Sequence, residues 1–391
     1  MGAAGRTSQQ NSQDNMRHEM AAVANETPFR GADRDSVNEI QVDEALASVL
    51  TLPLDSAVAA LCAEPELDAW FEAAPGRSEA FLAKLRETVA RAFGAREAAA
   101  LAEVHAALFT LYDLHVADGT DARALNQFNP LLTQARRVIE RAWLASERER
   151  VSVQTGVTDS AAVVSALKGI WSGHRAASHP LFDFLEKDAT REQIVTFFRS
   201  DSALNIRFFD LLLYSLIGSR VEVRKELMQN LWDEAGRGNP SLSHVSLFRR
   251  LLDVVGVGQA PDSHASQLEV DGHAGYNLFM LTSLNRAHYF MLLGVMAMTE
   301  LLDPSQYEKL VRGCKRVGFG ANGELAYYEE HVTIDIVHAQ GWLDDVIVPV
   351  VQQTPSVGDD ILFGAALRMA TCEAYYDALY AKLTALPAGR A

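Results

Sequence analysis

Residues 327–342 of the chain read YYEEHVTIDIVHAQGW and contain the spacing His331-x3-Asp335-x2-His338. Positions i, i+4 and i+7 fall on one face of an α-helix. Two imidazoles and a carboxylate on one face can bind a transition metal, and this ligand type suits iron. The alternative is a solvated helix face on which the histidines occur by chance. The apolar neighbours, among them Ile336 and Val337, favour the metal-binding interpretation.

The same helical periodicity runs through almost the whole chain. Leu82, Leu85, Val89 and Phe93 recur at helical spacing. Strong helix formers (Ala, Leu, Glu and Arg) dominate residues 66–149. The best strand candidate is residues 346–351, which stand alone and contain a proline. The sequence therefore predicts an all-α fold.

Composition divides the chain into three parts. Residues 1–36 are rich in Gln, Asn and Ser without an apolar period, so they are predicted to be a disordered tail. The polar segment around residues 152–160 separates an N-terminal helical domain, residues 37–152, from a second helical domain, residues 160–391. In the second domain, the pattern predicts one long helix over 191–217. It also predicts separate helices over 276–302 and 304–316.

Charge and cysteine content exclude several classes of function. The 391 residues include 35 Lys and Arg but 51 Asp and Glu, a net charge of −16. Without a basic cluster, neither a nucleic acid nor an anionic membrane is an expected partner. The three cysteines show no CxxC spacing, so neither a disulfide scaffold nor a thiolate zinc site is predicted. The start of the chain lacks an apolar leader, and we expect a cytoplasmic protein.

A second candidate pair is Glu234-x9-His244, in LWDEAGRGNPSLSHVSLF. Gly236-Arg237-Gly238 lies between them and follows a predicted helix, so it is interpreted as a helix C-cap rather than a nucleotide-binding loop. This Gly-rich turn could direct both side chains inward. A buried glutamate or a capping histidine would explain the pair equally well.

A third candidate is Glu300, which follows a mostly apolar stretch in MLLGVMAMTELLDP. A carboxylate in such surroundings must find a partner or stay neutral, unless the helix end reaches solvent. With the two motifs above, it completes a set of three carboxylates and three histidines on several helices. A carboxylate-bridged diiron site in a helical bundle requires such a set.

The order Glu…His, Glu, HxxxDxxH resembles the haem-oxygenase-like diiron oxidases, often called iron-containing redox enzymes. The resemblance covers roughly residues 161–383. It implies a haem-oxygenase-like bundle, two Fe ions as cofactor, and activation of O2 to oxidise a small molecule by N-oxygenation or by C–H or C–C oxidation. The metal ligands that it implies are Glu234, His244, His331, Asp335 and His338, with Glu300 as an additional ligand.

The resemblance also implies one more carboxylate from the helix before Glu234. Antiparallel pairing about the turn near residues 218–220 places its level near Asn205. Asp201 lies one turn earlier, and Asp210 just over one turn later. Asp201 is preferred, with Asp210 second.

The implied partners are a small-molecule substrate and O2. No flavin or NAD motif is present, so electrons would come from iron, from the substrate or from an external reductase. The N-terminal domain carries no clustered ligand set, which suggests a lid, a homodimer surface or a partner dock. Two alternative functions stay open: a haem-binding protein of the same fold, with His174 or His179 near the haem, and a noncatalytic helical interaction protein.

Overall fold

The computed structural model describes residues 48–258 and 268–386. All regular secondary structure in these two ranges is helical, so the all-α prediction is confirmed, and the strand candidate at residues 346–351 is helical. The tail predicted over residues 1–36 lies outside the described residues. In the described ranges, no helix has both the length and the apolar character that a bilayer span requires.

The α-helices of the described residues are numbered here in chain order. They are α1 (Leu54–Ala63), α2 (Leu67–Ala73), α3 (Gly76–Val89), α4 (Ala98–Asp113), α5 (Pro130–Arg150), α6 (Ser160–Gly173), α7 (Pro180–Lys187), α8 (Arg191–Asn205), α9 (Phe208–Leu216), α10 (Arg224–Glu234), α11 (His244–Val254), α12 (Glu269–Leu284), α13 (Tyr289–Arg316), α14 (Ala326–Gly341), α15 (Val348–Gln353) and α16 (Gly358–Ala385). Two π-helical segments, Ala90–Gly94 and Trp342–Ile347, continue α3 and α14.

The first helices of the described chain pack directly on the later ones. The side chain of Asn277 on α12 donates to the carbonyl of His105 on α4, at 2.9 Å. Arg207 forms an ion pair with Asp113 at 2.6 Å. The described residues from Val49 onward form one compact unit. These contacts join residues on the two sides of residues 152–160. The division into two domains at that segment therefore stays a prediction.

Two glycines let α13 and α16 pack backbone against backbone. A Cβ on Gly294 of α13 would lie 2.0 Å from the carbonyl oxygen of Ile361, and a Cβ on Gly364 of α16 would lie 2.1 Å from that of Met291. Any larger side chain at either position would push the helices apart. The contact fixes α13, the helix that carries Glu300, in the middle of the helical core.

Helix α13 corrects one predicted break. It runs without interruption from Tyr289 to Arg316 and includes Pro304. Proline removes only one donor, toward the carbonyl of Glu300, and the packed helix tolerates the loss. The chain breaks instead at residues 285–288, where the side chain of Asn285 donates to the carbonyl of Leu281.

A second correction concerns residues 191–217. Helix α8 begins with a capping box between Thr190 and Gln193 and ends at Asn205, and α9 starts at Phe208. The intervening Arg207 donates to the carbonyl of Val116 at 2.6 Å. The predicted long helix is therefore two helices, and a residue between them makes a tertiary contact that the local pattern does not contain.

Candidate metal centre

Helix α14 buries its polar face and exposes apolar residues. His331, Asp335 and His338 are each at most 5% exposed, whereas Ile336 and Val337 are 61% and 63% exposed. An ordinary surface helix does the opposite. The apolar neighbours that favoured a buried helix in the sequence therefore do not form its buried face. Buried ionisable groups on the inner face require partners, and these come from three other helices.

The turn after α10 brings Glu234 and His244 together. Gly236 has φ +74°, and a Cβ there would lie 2.4 Å from the carbonyl oxygen of Asn239, so only glycine fits. Nδ1 of His244 lies 2.8 Å from Oε2 of Glu234. The ring centroid of His244 is 4.3 Å from that of His331. These three side chains form the first candidate ligand group, whose ligand atoms lie within 4.8 Å of one another.

The second candidate ligand group consists of Glu300, Asp335 and His338, and it meets the same 4.8 Å criterion. Nδ1 of His338 lies 3.4 Å from Oε2 of Glu300 and 3.8 Å from Oδ1 of Asp335. The side chain of Asn230 donates to Oε1 of Glu300 at 3.2 Å. The structure thus brings together, in two groups, the six residues that the sequence singled out on these helices.

In two of the histidines, one ring nitrogen contacts an oxygen outside the ligand groups. That contact determines which ring nitrogen points toward the ligand group. Nδ1 of His331 is 2.6 Å from the carbonyl of Tyr327, so Nδ1–H donates and Nε2 is left as the ligand atom. Nε2 of His338 is 3.2 Å from Oδ2 of Asp233, which leaves Nδ1 for the second group. Metal-binding histidines usually have such an outer partner.

Three buried histidine nitrogens of the two groups lack an aligned hydrogen bond. Within the described residues, neither ring nitrogen of His244 nor Nδ1 of His338 has a hydrogen-bond partner, although both residues are buried. The 2.8 Å approach of His244 to Glu234 is therefore close but not aligned as a hydrogen bond. Buried carboxylate and imidazole atoms that converge at these distances are suited to share a cation.

Electrostatics also favour a cation. Burial raises the pKa of Asp335 well above its usual range, and the nearby carboxylate of Glu300 raises it further. Burial lowers the pKa of His331 to about 3, with a further contribution from His244. Burial opposes protonation of His338, but contacts with Glu300 and Asp233 outweigh it and raise its pKa to about 9. In the metal-free protein, bound protons thus reduce the repulsion between the crowded carboxylates. A divalent cation would replace these protons.

A cavity of about 890 Å³, counted with its opening to solvent, adjoins both groups. Glu234, His331, Glu300 and Asp335 form part of its wall. The aromatic residues of the remaining wall are Phe182, Phe197, Phe208, Tyr276, Phe279, Tyr307, Tyr327, Tyr375 and Tyr376. The cavity thus places an apolar and aromatic surface directly beside the candidate ligands.

The structure separates the three candidates for the remaining ligand. Asp201 and Asn205 line the cavity, and Asp210 on α9 does not. Oδ2 of Asp201 accepts from the side chain of Asn205 at 2.7 Å and from the hydroxyl of Tyr328 at 2.9 Å. Asp201 belongs to neither ligand group. The preference for Asp201 over Asp210 stays a prediction.

Sequence reasoning missed three charged residues of this region. Asp303 lines the cavity one turn after Glu300, and burial raises its pKa well above the usual range. Its i, i+3 spacing from Glu300 was the available signal. Arg368 on α16 is also buried in the cavity wall, where its Nε donates to Thr299 at 3.0 Å. No feature of the sequence indicated Asp233, because the neighbouring Glu234 already fits the Glu-x9-His motif.

The two histidines considered for haem binding are both engaged elsewhere. Nδ1 of His179 accepts from the backbone N–H of Leu181 at 3.1 Å and thereby caps α7, and Nε2 is 3.1 Å from Asp377. His174 accepts from the backbone of Ala176 in the same way. Neither belongs to the cavity wall.

Comparison with protein families identifies the region that contains the two groups. Residues 195–373 match the model of the family described as iron-containing redox enzyme. The match includes all six residues of the two ligand groups and supports an oxidoreductase role for this part of the chain. A search of curated proteins finds no match.

Proposed function

We propose that the region matching the iron-containing redox enzymes binds two iron ions and activates O2 to oxidise a small molecule in the adjoining cavity. The first ion would be held by Glu234, His244 and His331, and the second by Glu300, Asp335 and His338. Carboxylate and imidazole ligands of this kind suit iron. Bound iron would supply electrons and open coordination positions for O2.

The observation that carries this proposal is that α14 contributes to both groups. His331 belongs to the first group, and Asp335, one helical turn later, belongs to the second. Two cations held in this way would be neighbours, as they are in enzymes whose two metals act on one substrate. Two unrelated structural metal sites would not need to share a helix face.

The protein's own residues would position the ligands and shield the reaction. The carbonyl of Tyr327 orients His331, and the side chain of Asn230 holds Glu300. The aromatic wall would exclude water from the substrate. Whether nitrogen, a C–H bond or a C–C bond is oxidised depends on how the cavity presents the substrate. Further electrons would come from the substrate or an external reductase.

The test is to load metal-free protein with Fe²⁺ without oxygen, count iron per chain and then measure O2 uptake. We expect two irons and O2 consumption that requires them. His331→Ala and His338→Ala should each lose one tightly bound iron, because they remove ligands from different groups. The control is His288→Gln, which changes a half-buried histidine outside both groups. A wild-type protein that binds no iron would contradict the proposal.

A further inference from the structure

The turn between Glu234 and His244 contains a non-glycine residue in a conformation that favours glycine. Gly236, Arg237 and Gly238 all have positive φ, of +74°, +54° and +86°. A side chain in the left-handed region costs free energy that glycine would avoid. An arginine at the centre of this turn therefore suggests that its side-chain contacts have a function.

The guanidinium of Arg237 joins two carboxylates. Its Nε lies 2.6 Å from Oδ1 of Asp233, and its Nη2 lies 3.3 Å from Oε1 of Glu330. Each carboxylate faces the back of a different candidate ligand histidine. Oδ2 of Asp233 is 3.2 Å from Nε2 of His338, and Oε2 of Glu330 is 3.8 Å from Nε2 of His244.

Arg237 is thus connected, through two carboxylates, to one histidine of each ligand group. His244 belongs to the group of Glu234, and His338 to the group of Glu300. In each case, the chain of contacts runs from Arg237 through a carboxylate to Nε2 of a histidine, at 3.2 Å for His338 and at 3.8 Å for His244. Asp233 lies within hydrogen-bond distance of His338, and a carboxylate in that position fixes the orientation of a metal-binding imidazole. Glu330 acts on His244 through its charge, over 3.8 Å. The planar guanidinium can hold two carboxylates in a fixed arrangement.

We propose that Arg237 is a positioning residue that sets the metal affinity of both groups at once, through Asp233 and Glu330. This inference rests on the proposed function, because it concerns how the metals are held. The competing interpretation is an ordinary surface ion pair. The side chain of Arg237 is 52% exposed, and surface pairs contribute little to folding stability. Metal affinity, rather than stability, therefore distinguishes the two.

The experiment measures the affinity of metal-free protein for Fe²⁺ without oxygen, in competition with a chromogenic chelator. Arg237→Gln keeps the Cβ and hence the backbone cost of the turn, but removes the charge. We expect both sites to weaken by up to about tenfold, less than the roughly 10- to 100-fold typical of losing an outer partner, because Arg237 acts one contact behind such partners. The melting temperature of the metal-free protein should change little.

Single substitutions of Asp233 and Glu330 test the two chains of contacts separately. Asp233→Asn should weaken mainly the site of Glu300, Asp335 and His338, and Glu330→Gln mainly that of Glu234, His244 and His331. Adding Arg237→Gln to Asp233→Asn should cost the Glu300 site little more, because both changes interrupt one chain of contacts. Arg237→Lys keeps the charge without the planar fork and should recover only part of the affinity.

The matched control is Arg175→Gln. Arg175 also joins two carboxylates, Glu373 and Asp377, and Asp377 contacts the buried His179 at 3.1 Å. These residues lie outside both ligand groups. We expect Arg175→Gln to leave Fe²⁺ affinity unchanged while removing the same kind of ion pair.

The outcomes separate this inference from the proposed function. Wild-type protein that binds two Fe²⁺ ions, with unchanged affinities in Arg237→Gln, would overturn the role of Arg237 and leave the proposed function intact. Wild-type protein that binds no Fe²⁺ would overturn both. If Arg237→Gln does not fold, Arg237→Gly gives the same test, because glycine adopts the positive φ without cost. Full affinity in Arg237→Gly would equally overturn the inference.

Discussion

Nε2 of His338 lies 3.2 Å from Oδ2 of Asp233, and this contact turns Nδ1 of the same ring toward Glu300, 3.4 Å away. Asp233 is the sequence neighbour of Glu234, which belongs to the other ligand group. The end of α10 therefore serves both groups, one with a candidate ligand and one with a carboxylate behind a ligand. Disturbing this helix end should affect both metal sites.

Asp335→Asn should weaken iron binding and stabilise the metal-free protein. Loss of a direct ligand should lower affinity by more than the roughly 10- to 100-fold typical of outer partners. Burial, with the charge of Glu300, raises the pKa of Asp335, so folding favours its protonated form. That contribution is full at low pH and is lost as the pH rises. The gain from asparagine should therefore increase with pH, as measured by melts of metal-free protein. Equal gains at pH 4 and pH 8 would contradict this explanation.

Metal affinity should rise with pH. Contacts with Glu300 and Asp233 overcome the effect of burial and raise the pKa of His338 from 6.5 to about 9 in the metal-free protein. A metal must displace this proton, so affinity should increase by about tenfold per pH unit and level off above that pKa. The proton stabilises the metal-free fold below pH 6.5, and this contribution is lost as the pH rises through about 9. Anaerobic Co²⁺ titrations at several pH values test this, and a flat profile would refute it.

Asp201→Asn should stabilise the metal-free protein at neutral pH. Burial raises the pKa of Asp201 from 3.8 to about 6, despite hydrogen bonds from Tyr328 and Asn205. The ionised form thus costs up to roughly 3 kcal/mol. Because the residue is only half-buried, we expect a gain of about 1–2 kcal/mol at pH 7.5 and almost none at pH 4. Chemical denaturation at both pH values measures it.

A companion variant tests the predicted ligand role of Asp201. If Asp201 joins one iron when metal binds, Asp201→Ala should weaken that iron more than the other, since Asn205 cannot supply a charge in its place. The matched change is Asp210→Ala on α9, outside the cavity wall. Equal iron affinities in wild type and Asp201→Ala would rule Asp201 out as a ligand.

Gly294→Ala should destabilise the protein and weaken iron binding together. The new methyl group would lie 2.0 Å from the carbonyl oxygen of Ile361, so α13 and α16 would have to separate. Overpacking of this kind typically costs about 1–3 kcal/mol. Because Glu300 is on the same helix, the second ligand group should also shift. Denaturant melts and iron counts measure the two effects.

The control for this variant is Gly169→Ala. Gly169 lies within α6, is exposed, and has no atom within 4 Å of a built Cβ. Alanine there should stabilise the helix by about 0.5–1 kcal/mol and leave iron binding unchanged. A destabilised Gly169→Ala would show that the effect at Gly294 does not report on close helix packing.

Much of the candidate site could be predicted from spacing along the chain. His331, Asp335 and His338 share a helix face by periodicity alone, and the Gly-rich turn indicated how Glu234 and His244 could meet. Helix formers and apolar periodicity also predicted the all-α fold. These features are local, so the sequence contains the information that determines them.

Tertiary structure decided what spacing could not. Which of the adjacent carboxylates, Asp233 or Glu234, enters a ligand group depends on how α10 is rotated against α14, and its rotation is fixed by packing. Likewise, a predicted long helix is divided beside Arg207, whose side chain contacts the distant carbonyl of Val116. Helix periodicity determines which side chains share a face, but only the packing of distant helices determines what that face meets.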